Sequence, residues 1–285
     1  MAAPTAPATN SAVSETRARR STAAHGPIAL LAHQVRFELL ASARNPRARF
    51  FTFMFPIILL VVFIGVFGHK GHTVINGVSV PLSRFYVGGI LAMAIITAAY
   101  AGLVMTIVAA RESGVFKRRR ATPVPLVVMI GGQVIATLVI AELMAAILLI
   151  IGRLGYSISM PAAALVAVFL TVAVGTIAFA CIGYAVAGMI DSVDVAQPLA
   201  QATMLPLYFI SGVWIPNTSL SHGLRQVASI FPIEHLAAAL HKGTVASSFA
   251  SAFSGTDLLV LVIWGLAAGV FAASRFSWLP KTATA

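Results

Sequence analysis

The sequence predicts an all-α integral membrane protein. It has six transmembrane helices, an N-terminal amphipathic helix lying in the membrane interface, and short outer re-entrant helices between spans five and six. Three observations carry this. The 285 residues are 59% hydrophobic and 9% charged, with a mean hydropathy of +0.94, whereas a soluble domain carries about 25% charged residues. So few charges cannot coat a globule of this size, which argues against a soluble enzyme and for the bilayer as solvent. Secondly, six stretches reach the roughly 20 residues of helix that hydrocarbon demands. Thirdly, Lys and Arg are unevenly shared among the intervening segments.

Taken along the chain, residues 1–26 are rich in Ala, Thr, Ser and Pro and carry Arg17, Arg19 and Arg20. No apolar segment follows directly, so this reads as a disordered cytoplasmic tail rather than a signal peptide. Residues 27–48 read as the interfacial helix. Pro27 suits a first helical position, and Ile28, Leu31, Val35 and Leu39 recur at helical spacing. His33, Arg36 and Arg44 lie between them, and Asn45-Pro46 stops the helix. Such a helix can rest in the inner headgroup layer with its arginines on anionic lipid phosphates. A solvated helix packed on its own protein is the plainer alternative.

The six spans fall at about 50–68, 85–110, 124–151, 161–190, 195–215 and 257–275, within a transmembrane domain covering 50–278. Their apolar character is continuous rather than alternating, so they read as helices and not as barrel strands. An even number of spans places both termini on one side. With the termini cytoplasmic, the inner segments hold Arg17, Arg19, Arg20, Arg36, Arg44, Arg47, Arg49, Arg111, Lys117, Arg118, Arg119, Arg120, Arg275 and Lys281. The outer loops hold Lys70, Arg84, Arg153, Arg225 and Lys242. That bias sets the orientation in the cell membrane, and 279–285 becomes a cytoplasmic tail. The formal charge of +11 then reflects topology and anionic headgroups, not nucleic acid. Cys181 is the single cysteine, so neither an internal disulfide nor a thiolate metal cluster is available.

The loop between spans two and three reads Arg111-Glu112-Ser113-Gly114-Val115-Phe116-Lys117-Arg118-Arg119-Arg120-Ala121-Thr122-Pro123. Glu112 suits the first turn of a short helix, where the dipole favours an acid. Gly114 permits close backbone approach, and Pro123 starts the next helix without losing a hydrogen bond. A short charged helix at the membrane face makes a handle for a soluble partner. Physics alone allows equally a basic loop that touches lipid headgroups.

This stretch resembles the cytoplasmic coupling segment of the type-2 ABC exporter permeases, with its Arg-Glu-x-Gly, its charged residues and its Ala/Ser-Thr/Ser-Pro end. Ser211-Gly212-Val213-Trp214-Ile215-Pro216 resembles a patch of the same family at the outer end of span five. Leu220, Leu224, Val227 and Phe231, then Ile233, Leu236 and Leu240, resemble its outer half-helices. The similarity runs from about residue 27 to 278 and looks most like the daunorubicin-resistance drug permeases. Val115, Lys117 and Arg119 depart from the family pattern and make the loop more basic, which asks for an acidic groove on the partner. Ser221 stands near where a second proline often follows Pro216.

The resemblance implies a permease subunit working as a dimer, with a second copy or a related permease. Two copies of a separate ABC ATPase subunit would engage Arg111, Glu112, Ser113, Gly114, Phe116, Lys117, Arg118, Arg119 and Arg120. No Gly-x-x-x-x-Gly-Lys-Ser/Thr loop occurs, so ATP and Mg are expected on that partner, and this chain is expected to be no enzyme and to hold no cofactor. No His-Glu-x-x-His, Gly-x-Ser-x-Gly or acidic pair within a span occurs either. His69, His72, His222, His235 and His241 fall in outer loops, where scattered histidines are usually solvated, so no metal site is expected.

Polar residues inside spans mark a candidate substrate path. Gln197, Gln201, Met204, Tyr208 and Ser211 share one helix face in span five. In span two, Gly89, Met93, Thr97 and Tyr100 form a comparable stripe, with Met105 beyond, and span one contributes Phe53. The alternative is that these residues bind helix to helix. Methionine and aromatic surfaces adapt to varied apolar ligands, which suits a drug or lipid cargo better than an ion or a polysaccharide. Glu142 is the one embedded acid, with an insertion cost of about 2.5–3.5 kcal/mol if charged, and a proton-coupled transporter would use such a residue. Gly175, Gly183 and Ala187 in span four read as close-packing positions.

Overall fold

In the computed structural model the described residues are 26–68, 71–75, 77–115 and 124–275. The N-terminal tail to residue 25, the part of the 111–123 loop from Phe116 onward, and the chain after Arg275 lie outside them.

Helix α1 runs Pro27–Arg44, with the proline in its first turn. After a short turn, α2 follows as one rod over Phe50–Gly68. Its middle, Phe55–Phe63, is α-helical and its two ends are π-wound. Pro56 explains the first of these: it removes a backbone donor, and the wider turn before it absorbs the misfit. A β-hairpin then pairs β1, His72–Ile75, with β2, Val78–Pro81, placing His72 opposite Pro81 and Ile75 opposite Val78. An all-α reading has no place for it. β-Branched residues flank an Asn-Gly pair here, which is a hairpin signature.

Helix α3 spans Leu82–Glu112, 31 residues with a π turn at Thr97–Ala101. It is followed by α4, Leu126–Tyr156, α5, Ala162–Ala187, and α6, Val193–Ile210. Two short helices, α7, His222–Ala228, and α8, Pro232–Val245, precede α9, Gly255–Arg275. Among the described residues, five helices are long and apolar enough to cross a membrane: α2, α3, α4, α5 and α9. The stretch read as span five forms α6, which is 18 residues long and falls outside that group. Asp194, Gln197 and Gln201 dilute its apolar character, and Pro198 and Pro206 lie within it.

Helix α3 is the axis of the bundle. In its most apolar stretch 72% is buried, against 17% for α2 and for α9. It packs on α2, α4, α5, α6 and α8, while α5 joins α9, α4 and α8 to it. Gly175 of α5 lies against Leu236 of α8, and Gly183 against the backbone of Ala99 and Tyr100. Those small residues let helices close to near contact, the main source of helix association in lipid. Tyr184 adds a hydrogen bond from α5 to Gln133 of α4, at 2.8 Å. The outward faces of α2 (Phe51, Ile58, Val62) and α9 (Leu259, Ile263, Leu266) stay apolar and exposed. Helix α1 lies along the start of α4, where Gln34 meets Gly132 and Leu31 meets Gly131.

Candidate functional site

Helix α3 ends on Arg111-Glu112, and both side chains reach back to the α5–α6 turn. The Arg111 guanidinium is 3% exposed. Its Nη1 donates to the Ala187 carbonyl at 3.2 Å, and its Nη2 donates to the Ile190 carbonyl. The Ala187 carbonyl is a left-over acceptor at the last residue of α5 and Ile190 lies in the turn just past it, so the cation sits at the negative end of that helix. Glu112 does the converse. Its Oε2 accepts the Val193 backbone N–H at 3.1 Å, at the first residue of α6 and the positive end of its dipole. Asp191 in the turn adds an electrostatic interaction with Arg111. Two adjacent residues of opposite charge therefore clamp two helix ends to a third helix.

The same segment stops α3 abruptly. Ser113 Oγ donates to the Ala109 carbonyl at 2.7 Å, and Gly114 takes φ +68, the left-handed conformation that ends helices. Gly114 is therefore needed for its backbone angle and not for close approach: a Cβ there would meet nothing within 4 Å. Glu112 closes a long helix instead of opening a short one. Arg111 faces the bundle, whereas Glu112 and Ser113 are exposed. Phe116, Lys117, Arg118, Arg119 and Arg120 lie outside the described residues.

The two polar stripes meet each other. Tyr100, fully buried, and Thr203 share a 2.8 Å hydrogen bond across α3 and α6. One helical turn further from the Arg111-Glu112 clamp, Thr97 hydrogen-bonds Tyr208. Met93 and Met204 are buried in the same seam, Ser211 is buried at the end away from the clamp, and Phe53 on α2 is half-buried. Within one copy this face is a contact between helices. Gln197 and Gln201 depart from it: both are exposed. The helix twist carries them off the seam while Ala196 and Ala200 take the inward positions.

The end of the seam away from the clamp is closed by backbone and by a histidine. Gly89 of α3 lies against the Val213 carbonyl, so close that a Cβ would stand 2.0 Å from its oxygen. His241 of α8 is not a solvated loop residue. It is 6% exposed, its ring stacks on Phe85 at 4.5 Å, and Nε2–H donates to the Gly212 carbonyl at 2.8 Å. Burial pulls its pKa down to about 4, so the ring stays neutral. Trp214 packs on Tyr208 and Phe209. Ser221 caps α7, its Oγ accepting the Leu224 N–H at 3.5 Å.

A family model described as the ABC-2 type transporter matches residues 31–245, more than half of the chain. The chain belongs to that family. No curated protein matches it. As an ABC-2 membrane domain it is a multi-pass permease subunit, and permeases of this family typically work with an ATPase subunit. The matched stretch begins inside α1 and ends with α8, so it takes in the clamp, the polar seam and the outer helices. Glu142 also lies within it, near the middle of α4. Its Oε2 is buried and has no hydrogen-bond partner among the described residues. Sequence reasoning found Arg111, Glu112 and both stripes but missed what they touch, because Val193 and Thr203 lie 81 and 103 residues away. It missed Thr203 altogether, although a threonine one residue before Met204 was a signal.

Proposed function

We propose that this permease is the membrane subunit of an ATP-driven exporter in the plasma membrane, with both termini cytoplasmic and α6 as its sixth crossing. Two such subunits, identical or related, pair with two copies of an ATPase that docks on the segment 111–120 and on α1. The observation that carries this reading is the Arg111-Glu112 clamp. A push delivered just beyond Gly114 reaches α3, α5 and α6 together, because one dipeptide holds all three ends. Arg111 anchors the handle from within, and the exposed Glu112 and Ser113 present it.

The exposed amides of Gln197 and Gln201 support a dimer. Facing lipid they would lack partners, whereas a second copy or a shared path satisfies them. The cargo is amphipathic, a drug or a lipid; Met93, Met204 and Tyr208 hold α3 to α6 within one copy, and the path is left to the half-buried Phe53 and the exposed Gln197 and Gln201. α7 and α8 serve as outer re-entrant helices. An open apolar groove lined by Leu31, Val35, Leu39 and Ile135, with Arg36 beside it, suits anionic membrane lipid against α1.

Efflux of a fluorescent amphipathic drug from cells expressing this chain with its ATPase tests the reading. Glu112→Lys sets a cation against the α6 N-terminus. Export is expected to fall at least about tenfold, equal to 1.4 kcal/mol of lost coupling, while ATP hydrolysis persists and the purified protein still elutes as one species. Wild-type export by that variant removes Glu112 from the coupling step. The unpartnered Glu142 favours a second reading, a proton-coupled transporter. Glu142→Gln separates the two: ATP-dependent export survives it under the first reading and is abolished under the second.

A further inference from the structure

At the outer end of the bundle, three side chains turn their ligand atoms toward one point. His235 Nδ1 on α8 lies 2.8 Å from Asp257 Oδ1 on α9 and 3.7 Å from Glu234 Oε2. Such atoms from all three residues fall within 4.8 Å of one another, and all three residues are half-buried. The remaining polar atom of each is held from outside the trio. His235 Nε2–H donates to the Ser229 carbonyl at 3.0 Å, at the end of α7. Ser254 Oγ donates to Asp257 Oδ2 at 2.6 Å. Asn217 Nδ2 donates to Glu234 Oε1 at 3.3 Å. Metal ligands in proteins are oriented by just such outer partners, and a ligating histidine gives its other N–H to a carbonyl or carboxylate.

Without a metal, His235 Nδ1–H donates to Asp257 Oδ1, so both ring nitrogens carry protons and a bound cation takes the place of the Nδ1 proton. Once that proton has left, two carboxylate charges face a neutral imidazole, half withdrawn from water. Lys242 stands on the Asp257 side, but its ammonium is engaged by the Phe253 carbonyl at 3.1 Å. A dication at the convergence point cancels the pair. One nitrogen and two oxygens suit zinc, with water completing the four ligands. Mg²⁺ and Ca²⁺ ask for six or more oxygens, and the trio has no sulfur for copper(I).

We propose that Glu234, His235 and Asp257 form a Zn²⁺ site on the outer face of the permease, pinning the Asn217 turn, α8 and the start of α9 to one another. The site stands independently of transport and of any ATPase. Its test uses the full-length protein in detergent, stripped with a chelator, re-equilibrated with ZnCl2 and assayed for metal by mass spectrometry and chelator competition. One zinc per chain is expected. Asp257→Asn alters a direct ligand and should weaken binding at least about 100-fold, and Ser254→Ala about tenfold, within the range of about 10–100-fold for outer partners. Should those variants fail to fold, the wild-type protein loaded with Co²⁺ should show the intense absorption of a four- or five-coordinate N/O site, bleached by Zn²⁺. No retained zinc, equal zinc in Asp257→Asn and His235→Gln, or a Co²⁺ spectrum of the hydrated ion each overturns the proposal.

Discussion

Replacing Arg111 with alanine is expected to lower the thermal unfolding midpoint sharply and, under the proposed export function, to abolish transport. The side chain is 3% exposed and donates to two carbonyls where α5 ends. Hydrogen bonds with a charged partner contribute about 1.5–3 kcal/mol each, and a cation at a partly buried helix C-terminus adds up to about 2 kcal/mol. These terms overlap, so a loss of about 3–5 kcal/mol is expected, most of it from leaving the Ala187 and Ile190 carbonyls without a donor. Arg111→Lys restores the charge but not the planar fork that reaches both acceptors, and should recover less than half of the loss. Thermal melting of the three proteins in one detergent checks the order. If alanine and arginine melt together, the clamp contributes nothing and the coupling scheme loses its anchor.

What the sequence made legible was whatever depends on neighbours along the chain. The spans at α2, α3, α4, α5 and α9 are long apolar runs, and their composition settles the solvent they need. Arg111-Glu112 stood out as a dipeptide, and Met93, Thr97 and Tyr100 stood out as a stripe because helical period places them together. What stayed hidden depends on pairing over distance. Nothing near Glu112 says that its carboxylate meets Val193, since that contact exists only when α5 has returned the chain to the same end of the bundle. The π turn at Thr97–Ala101 has no composition of its own; it forms where α3 meets α4, α5 and α6 at once. His235 looked like one of several loop histidines because its ligand-type neighbour Asp257 lies 22 residues away on another helix. The β-hairpin is different. Its Asn-Gly signal was present, and the rule that a membrane chain is all helix overrode it at a place outside the spans where that rule has no force.

Gly89→Ala is expected to be the second most damaging change, although it adds one methyl group. The Cβ would stand 2.0 Å from the Val213 oxygen and 3.0 Å from its carbonyl carbon. Those are backbone atoms and cannot swing aside, so the α3 helix and the 211–216 segment must separate. Overpacking costs about 1–3 kcal/mol where side chains can yield, and a backbone clash belongs at the top of that range, about 3 kcal/mol. Gly65→Ala is the control: nothing lies within 4 Å of its Cβ, so the gain in helix propensity, up to about 1 kcal/mol, is all that remains. Melting in detergent should therefore move the two variants in opposite directions, and a Gly89→Ala protein as stable as wild type would disprove the close approach. The consequence reaches beyond stability. Helices α3 and α6 are joined at Glu112 to Val193, at Tyr100 to Thr203, and at Gly89 to Val213 just past the α6 end. Three attachments along one seam tie α3 to α6, so in the proposed coupling scheme a push at the Arg111-Glu112 clamp would arrive at the 211–216 segment. Opening the outer attachment alone breaks that transmission at its last step. Under the proposed export function, the Gly89→Ala permease should still bind its ATPase partner and leave that partner's ATP hydrolysis intact, while export falls below about a tenth of the wild-type flux.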